Sequence, residues 1–451
     1  MLHSNSMSGP RDVFRTDCQL MIFFVSLLAI VIQSECTAVD PTSLKDSSHL
    51  EVAIDSDAIS GMGKPNSPVR LAVKITNPGN TTVTAKVEWS VNSVAITPAP
   101  EVDRMIQISP GKTQEFTKSL MLPAAGFVEL TCRIQQNEKS KVIRKKHRVG
   151  CNPEKIHTPM TRQPDFDDFW KRSLAELQQV PPAFKSIERP DMSSDEIEVF
   201  EISMRSHAQI RVRGWLEVPR NTTGPLPAII RVPGYGQNMK PTGKAKDMIV
   251  FSFNPRGHGN SQDDIPGEPS NFWIRGLDSP QAYYYRGSYL DCVRAVDYIA
   301  SRTDVDQSRI AVWGGSQGGG FAFATAALDD RIDQCIADIP FLCDWINYFQ
   351  LTHWPEMERW IADQPQRSWK STLRTLSYFD TMNLADRIRC PTIMSIGLQD
   401  NVCPPTTCFN TFNRIPGKKI YRIYADKGHG LGEEHHAWVW KQLREAFHVP
   451  E

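Results

Sequence analysis

The sequence predicts an α/β fold preceded by an antiparallel β-sandwich, and three observations support that prediction. Between about residues 45 and 150, apolar and polar residues alternate with the period of two that is typical of strands. From about residue 160 to 451, short apolar runs alternate with helical patterns, as expected for parallel βα units. Within that second region, residues 309–328 combine an apolar run, a glycine-laced turn and a run of small residues. This order predicts a strand, a sharp turn and a helix.

The composition is that of a globular protein and excludes several classes of function. The chain has 451 residues, 40% of them hydrophobic, which is enough for two or three domains with substantial cores. Lys plus Arg and Asp plus Glu number 51 each, so no net charge attracts nucleic acid or an anionic surface. The ten cysteines form no C-x-x-C pairs or His/Cys clusters at zinc spacing, and we expect no metal site.

The first 38 residues have the pattern of a secretory signal peptide. An apolar run over residues 20–32 follows Arg11 and Arg15 and precedes the small-residue pattern Cys36-Thr37-Ala38. This run is shorter than the roughly 20 residues that a membrane span needs. We therefore predict a signal peptide over residues 1–38 and a secreted or periplasmic protein, with an uncleaved membrane anchor as the alternative.

Residues 45–150 are predicted to form an immunoglobulin-like β-sandwich with an accessory or spacing role. The alternating runs at 69–76 and 83–91 are joined by the turn sequence Asn77-Pro-Gly-Asn80, and further strand-like runs follow as far as residue 149. The basic run 141–148 is interpreted as a solvated strand face, with binding of an acidic polymer as the alternative. Cys132 and Cys151 are candidates for a disulfide in an oxidising compartment, although sequence alone does not establish pairing.

The second domain is predicted over residues 160–451, after a turn-rich linker at 150–159. A helix at 166–177 comes first, and the strand-like runs 197–204 and 211–218 then form an antiparallel pair. Further strands are predicted at 227–232, 248–253, 309–313, 334–338, 392–396 and 419–424, with helices at 287–300 and 433–446. Cys335, Cys390 and Cys403 lie beside apolar runs and are expected to be buried thiols. This alternation predicts a mainly parallel sheet covered on both faces.

Ser316 lies in a candidate nucleophile elbow, Gly314-Gly-Ser-Gln-Gly318. In a G-x-S-x-G elbow, the serine occupies a strained turn between strand and helix, and the flanking glycines let the two elements pass closely. The five-residue pattern is weak alone, but here a predicted strand precedes it and a predicted helix follows. This context predicts an α/β-hydrolase fold with Ser316 as nucleophile.

A serine nucleophile needs a base and an orienting acid, which in α/β-hydrolases follow it in the order acid, then histidine. Asp400 comes just after the predicted strand 392–396, and His429 just after the strand 419–424. Asp426 competes with Asp400 for the acid role, but it lies on the same short loop as His429. Other histidines stand in the wrong order or in other elements; His435, for example, falls in the final helix, where a packing or solvated role is expected. We therefore predict the triad Ser316, Asp400 and His429.

Two backbone amides are predicted to form the oxyanion hole. One belongs to Gln317, the residue after the nucleophile at the start of the elbow helix. The other belongs to Tyr235, in the loop that follows the predicted strand 227–232.

Several longer motifs resemble those of the acetyl xylan esterase and cephalosporin-C deacetylase family, carbohydrate esterase family 7. They are Gly234-Tyr235, Arg256-Gly257, Trp273-Ile-Arg-Gly276, Tyr283-Tyr-Tyr-Arg-Gly287, Gly314-Gly-Ser-Gln-Gly-Gly319, Asp338-Ile-Pro-Phe-Leu-Cys-Asp344, Leu376-Ser-Tyr-Phe-Asp380 and Gly397-Leu-Gln-Asp-Asn-Val-Cys-Pro-Pro405. The resemblance covers residues 166–436 and leaves the leader and the β-sandwich outside.

The resemblance implies a serine esterase that removes acetyl groups from sugars and related alcohols without a metal or cofactor. It assigns the triad to Ser316, Asp400 and His429 and the oxyanion amides to Tyr235 and Gln317. It further implies that Tyr235, Pro340 and Phe341 line the acyl pocket and that the protein assembles as a trimer or hexamer.

The chain departs from the family pattern at three positions. His258 replaces the glutamine of the usual Arg-Gly-Gln and is expected to be structural. Pro233 replaces a histidine before Gly-Tyr, and Gly430 replaces the glutamate after the base. These changes retain the triad but leave the substrate open.

The sequence therefore favours a secreted esterase that acts on acetylated carbohydrates through an acetyl-enzyme. Three alternatives remain. They are a peptidase of the prolyl-oligopeptidase kind, an esterase of non-sugar substrates, and a binding protein with a degenerate hydrolase fold. About 105 residues in front of the catalytic unit are too few for the propeller that such peptidases usually carry.

Overall fold

The computed structural model describes residues 50–93, 102–138, 140–265 and 271–449. The predicted signal peptide over residues 1–38 lies outside this range. The described residues belong to one compact unit. Among the described residues, no helix is long and apolar enough to cross a membrane.

The N-terminal region contains two antiparallel sheets that share one apolar core, as the alternating pattern predicts. The three-stranded sheet has the order β1-β2-β5 and the four-stranded sheet the order β4-β3-β6-β7. In β2, alternate residues from Val69 to Ile75 point into this core, while residues between them are exposed or half-buried. The strands are β1 (Glu51–Ser56), β2 (Pro68–Thr76), β3 (Val83–Asn92), β4 (Val102–Ile108), β5 (Thr113–Met121), β6 (Gly126–Gln135) and β7 (Ile143–Cys151).

A nine-stranded mixed sheet forms the centre of the second region, in the order β16-β15-β14-β13-β11-β12-β10-β9-β8. Strands β11 to β16 pair in parallel, and β8, β9 and β10 add an antiparallel edge. The strands are β8 (Lys185–Glu188), β9 (Ile197–Arg205), β10 (Arg211–Pro219), β11 (Leu226–Val232), β12 (Ile249–Asn254), β13 (Val305–Gly315), β14 (Gln334–Asp338), β15 (Thr392–Gly397) and β16 (Lys419–Tyr424). This mixed sheet confirms the predicted α/β-hydrolase fold.

Helices cover both faces of the sheet. Neighbouring residues such as Ile229 and Ile230 point to opposite faces: Ile230 packs in a core with residues of α2 and α3, and Ile229 packs with residues of α8. The α-helices are α1 (Phe166–Gln178), α2 (Tyr284–Ala300), α3 (Gln317–Leu328), α4 (Trp345–Leu351), α5 (Pro355–Ala362), α6 (Trp369–Ser377), α7 (Pro405–Phe412) and α8 (Glu433–Ala446). Helix α8 has the predicted bounds, whereas α2 begins three residues before the predicted 287.

The two regions are in direct contact. Phe127 of β6 belongs to the large apolar core of the second region, and its ring centroid lies 5.8 Å from that of Phe409 in α7. The predicted linker at 150–159 begins inside β7 and continues into the 3-10 helix Pro153–Lys155. The domain limits 45–150 and 160–451 stay predictions.

Cys132 and Cys151 are both buried free thiols, so the disulfide considered from the sequence is not formed. Cys132 lies opposite Lys145 in the sheet and Cys151 opposite Gly126, which places the two cysteines far apart along the β6–β7 ladder. Burial raises the pKa of Cys132 to about 12. Cys335, Cys390 and Cys403 are also buried free thiols, as predicted.

Candidate active site

Ser316 occupies a strained turn between β13 and α3. Its backbone dihedrals are φ 59° and ψ −123°, a conformation that non-glycine residues rarely adopt. The flanking glycines allow it: a Cβ on Gly314 would lie 2.5 Å from the Gly318 carbonyl oxygen, and a Cβ on Gly318 would lie 2.5 Å from that of Val232. The Ser316 N–H donates to the Asp338 carbonyl at 2.9 Å, which ties the elbow to the end of β14. The turn therefore has the predicted elbow geometry.

His429 lies between Ser316 and Asp400. Its Nε2 is 3.0 Å from Ser316 Oγ, and its Nδ1 is 2.8 Å from Asp400 Oδ2. An Nδ1–H that donates to the carboxylate leaves the lone pair of Nε2 free to accept the serine proton. Asp400, and not its sequence competitor Asp426, is thus the carboxylate bound to His429.

The carboxyl ends of neighbouring parallel strands bring these residues together. Ser316 follows β13, Asp400 follows β15 and His429 follows β16. Asp400 is fully buried, and its Oδ1 accepts N–H groups of Val402 at 2.7 Å and Cys403 at 2.9 Å. These bonds hold the carboxylate with Oδ2 toward the imidazole.

The predicted oxyanion residues flank the elbow. Gln317 is the first residue of α3, so its N–H is among those that an α-helix leaves unpaired at its start. Tyr235 lies in a turn after β11, in which the Gln237 N–H donates to the Gly234 carbonyl at 3.1 Å. A Cβ on Gly318 would lie 3.0 Å from the Pro233 carbonyl oxygen, which shows that this turn packs against the start of α3.

His258 supports the side chain of Gln317. Its Nε2 lies 2.9 Å from Gln317 Nε2, and the Tyr285 hydroxyl donates to Gln317 Oε1 at 2.8 Å. Because the Gln317 amide nitrogen can only donate, His258 Nε2 is the acceptor and the ring is neutral. Burial lowers the pKa of His258 to about 4, which also favours the neutral ring. His258 therefore lies against the side chain of Gln317, the first residue of α3.

Pro340 and Phe341 lie beside the nucleophile, on the segment between β14 and α4. The Phe341 N–H donates to the Ser316 carbonyl at 2.8 Å, and Pro340 lies against Gly319 of α3. Ile339 and Leu342 have positive φ values of 39° and 65°, so this segment is bent on either side of Pro340 and Phe341. The Phe341 ring packs edge-on against Trp345 and Tyr348 of α4.

Two buried carboxylates, Asp344 and Asp380, support this bent segment. Asp380 accepts N–H groups from Asp344 at 2.8 Å and from Trp345 at 2.9 Å. Burial, and then the nearby charge of Asp344, raises the pKa of Asp380 to about 7. Both aspartates lie in motifs that the family resemblance includes, but their structural role was not predicted.

His435 has a defined contact that its place in the final helix did not indicate. Its Nε2 lies 2.8 Å from Asp338 Oδ1, and its Nδ1 is 2.9 Å from the Tyr424 hydroxyl. Asp338 also accepts the indole N–H of Trp313 at 2.7 Å. His435 is therefore held in its packed position by a hydrogen bond to Tyr424 and a close contact with the Asp338 carboxylate at the end of β14.

One group of potential metal ligands occurs among the described residues. Side-chain ligand atoms of Asp400, Cys403 and His429 lie within 4.8 Å of one another. Both ring nitrogens of His429 are already paired with Ser316 and Asp400, and burial raises the pKa of the Cys403 thiol well above its ordinary value. The donor set is thus better suited to proton transfer than to binding a metal.

The nine-stranded sheet with a strained serine elbow defines an α/β-hydrolase. The model of the family described as acetyl xylan esterase (AXE1) matches residues 154–444, which is more than half of the chain. The chain therefore belongs to the acetyl xylan esterase family, as the sequence motifs indicate, and it is an esterase by membership.

Known relatives agree with this assignment. The chain is 30% identical to acetyl esterase Axe7A of Xylanibacter ruminicola over 343 residues, which cover 71% of this chain and 75% of that protein. It resembles the structure of an acetyl xylan esterase from Paenibacillus sp. R4 with a TM-score of 0.60 and 34% identity, covering 65% of this chain and 98% of the other. The structure of acetyl xylan esterase 1 from Thermoanaerobacterium sp. JW/SL YS485 has a TM-score of 0.61 and 28% identity with the same coverage.

Proposed function

We propose that this protein hydrolyses acetyl esters of carbohydrates through an acetyl-enzyme intermediate, with Ser316, His429 and Asp400 as catalytic triad. The observation that supports it best is the unbroken relay from Ser316 Oγ to His429 at 3.0 Å and from His429 to Asp400 at 2.8 Å. Family membership supports the ester substrate, and the names of the relatives support an acetyl group.

In the first half-reaction, Ser316 Oγ attacks the acetyl carbonyl carbon while His429 Nε2 takes the serine proton. The amides of Gln317 and Tyr235 donate to the oxyanion that forms. The tetrahedral intermediate then expels the sugar oxygen, which receives the proton from His429, and Ser316 is left acetylated. Asp400 holds the imidazole in the required tautomer and stabilises its charged form.

In the second half-reaction, His429 Nε2 removes a proton from water, whose oxygen attacks the acetyl carbonyl carbon. Collapse of this second intermediate breaks the bond to Ser316 Oγ, which regains its proton, and acetate leaves. The groups Tyr235, Pro340 and Phe341 are proposed to line the acyl pocket. The hydrogen bond from the Phe341 N–H to the Ser316 carbonyl keeps that part of the wall next to the nucleophile.

The cellular setting belongs to the same proposal. The apolar run at 20–32 and the small residues that follow support secretion or a periplasmic location. Assembly as a trimer or hexamer rests on the family resemblance alone.

The decisive test compares Ser316→Ala with an exposed control, Ser186→Ala, in acetate release from acetylated xylan, acetylated short sugars and an aryl acetate. We expect Ser316→Ala to lose about 10⁴-fold in rate and Ser186→Ala to retain wild-type activity. A Ser316→Ala protein that keeps more than about a tenth of the rate would contradict the assignment of the nucleophile.

The substrate panel separates the remaining alternatives. Release from the sugars that depends on Ser316 supports a carbohydrate deacetylase, whereas release from the aryl acetate alone moves the substrate to non-sugar esters. Cleavage of a proline amide in the absence of acetate release would favour the peptidase alternative.

A further inference from the structure

The β-sandwich contacts the loop that carries Asp400. We propose that Arg148, on β7 of the sandwich, is a positioning residue for Asp400, so that the sandwich forms part of the support of the active site. This inference rests on the proposed function, because it gives Arg148 a role in the hydrolysis that Asp400 assists. It goes beyond the accessory or spacing role that the sequence predicts for this domain.

The guanidinium of Arg148 binds both sides of the turn at Asp400. Its Nη1 donates to the carbonyl oxygens of Leu398 and Asp400, each at 2.8 Å. Its Nη2 donates to Asn401 Oδ1 at 3.2 Å and to the Glu129 carboxylate. The planar guanidinium thus bonds to three residues of this turn, Leu398, Asp400 and Asn401, in one geometry, which a flexible lysine cannot reproduce.

A second set of bonds joins the same strand to Gln399. The Arg148 N–H donates to Gln399 Oε1 at 2.7 Å, and Gln399 Nε2 donates back to the Arg148 carbonyl at 3.0 Å. Gln399 Nε2 also donates to the Ala425 carbonyl at 2.8 Å, and the Gln399 N–H donates to the Lys427 carbonyl at 2.9 Å. Through Gln399, strand β7 is therefore connected to the loop that leads to His429.

The residues around Arg148 hold its guanidinium in place. Arg148 and Glu129 are both buried, and Lys146 is a second partner of Glu129 at 2.8 Å. The sandwich also packs against the same turn at Gly61, where an added Cβ would lie 2.1 Å from Leu398. A buried turn that is held by charge-assisted hydrogen bonds resists displacement more than a solvated loop does.

The contacts of Arg148 matter because the Asp400 carboxylate must stay within hydrogen-bond distance of His429. Asp400 Oδ2 is 2.8 Å from His429 Nδ1, and the carboxylate has little freedom of its own, since its other oxygen accepts two backbone N–H groups. A shift of the turn therefore moves the carboxylate directly. A displacement of about 1 Å in a catalytic geometry costs on the order of 100-fold in rate.

The experiment replaces Arg148 by Met in the full chain and compares it with Arg144→Met, which removes an exposed arginine from the same strand. We expect Arg148→Met to lower kcat for an aryl acetate about 100-fold with KM nearly unchanged, because the acyl pocket and the oxyanion amides lie on other segments. Arg144→Met is expected to leave both constants at wild-type values. Arg148→Lys should recover only part of kcat.

A kinetic cycle with Asp400→Asn separates positioning from general loss of structure. If Arg148 acts through Asp400, Arg148→Met should lower kcat by about twofold or less in the Asp400→Asn background, because the two residues act as a unit. A full 100-fold loss in that background would overturn the proposal.

Loss of Arg148 leaves Glu129 with Lys146 as its partner, and the variant Arg148→Met/Glu129→Gln removes that buried charge in case the single variant is poorly folded. Folding is checked by thermal unfolding. Equal kcat for Arg148→Met and Arg144→Met, with hydrolysis still dependent on Ser316, would refute the positioning role and leave the proposed function intact. Absence of any Ser316-dependent hydrolysis in the wild type would refute both.

Discussion

Replacement of Gly318 by alanine tests whether the close packing between the elbow and the loop after β11, which carries Tyr235, sets the position of that loop. A Cβ at this position would lie 2.5 Å from the Val232 carbonyl oxygen and 3.0 Å from that of Pro233. Both contacts are with backbone atoms, which a change of side-chain rotamer cannot relieve. The matched control is Gly315→Ala in the same motif, where the nearest atoms to an added Cβ belong to Asp338 at 3.8 Å.

The size of the effect follows from these distances. Real Cβ contacts almost never fall below 3.0 Å, so the start of α3 and the loop that begins at Pro233 must separate by several tenths of an ångström. Overpacking of this kind costs about 1–3 kcal/mol, and the better helix propensity of alanine offsets roughly 1 kcal/mol. The rate should suffer more than the stability, because the displaced loop carries the Tyr235 amide, and we expect kcat to fall about 10- to 100-fold.

The measurement is kcat and KM for an aryl acetate, together with the free energy of unfolding in urea. Gly315→Ala should keep kcat within about twofold of wild type and be as stable or slightly more stable, since glycine in a strand costs about 0.5–1 kcal/mol relative to alanine. Equal kcat values for the two variants would refute the argument, because they would show that the close approach at Gly318 does not set the position of the loop.

Two further predictions concern stability. Because the pKa of His258 is lowered to about 4 in the folded state, its contribution is present above pH 6.5 and is lost as pH falls toward 4. The raised pKa of Asp380, about 7, gives stability below about pH 4 that is lost as pH rises to 7. The test is the free energy of unfolding in urea, measured between pH 4.5 and 6.5. Compared with wild type, this free energy should fall more with rising pH in His258→Gln and should rise more with rising pH in Asp380→Asn. Slopes against pH that equal the wild-type slope would contradict the pKa shifts. A chain that starts at residue 160 should unfold at lower temperature and lose kcat, because it lacks Phe127 and Arg148; wild-type activity in that chain would show the sandwich to be dispensable.

Much of the fold was predictable because its signals are local. The alternating burial of β2 and the strand, turn and helix around Ser316 depend on residues that are neighbours in the sequence. The candidate triad was predictable for a related reason: the carboxyl ends of parallel strands meet at one edge, so residues just after β15 and β16 come close to the elbow. The sequence predicts Asp400 rather than Asp426 as the acid, and Asp400 Oδ2 lies 2.8 Å from His429 Nδ1.

The helices α4, α5 and α6 were not predicted, for a physical reason. They are short, at seven, eight and nine residues, and they follow a segment whose bends at Ile339, Leu342 and Asp344 place non-glycine residues at positive φ. Such conformations are selected by tertiary contacts, here the N–H groups of Asp344 and Trp345 that bind Asp380. No local propensity indicates a contact between residues 36 positions apart.

The burial and the contacts of Arg148 could not be predicted from the sequence either. In the sequence it ends a basic run, and a solvated strand face is the natural interpretation of such a run. That interpretation suits Arg144 and Lys145, which are exposed, but at Arg148 the strand passes beneath the Asp400 turn and the side chain is buried. The partners lie about 250 positions further along the chain.

The contacts of Arg148 also bear on what counts as a domain in this protein. An α/β-hydrolase presents its acid and base on loops at one edge of the sheet, and here those loops follow β15 and the edge strand β16. The turn at Asp400 has carbonyl groups that need hydrogen-bond donors. Strand β7 supplies these donors through Arg148, and Phe127 extends the apolar core across the same junction. A boundary drawn from the change in sequence period therefore separates residues that the packing joins, and the turn that carries Asp400 makes contacts on both sides of that boundary.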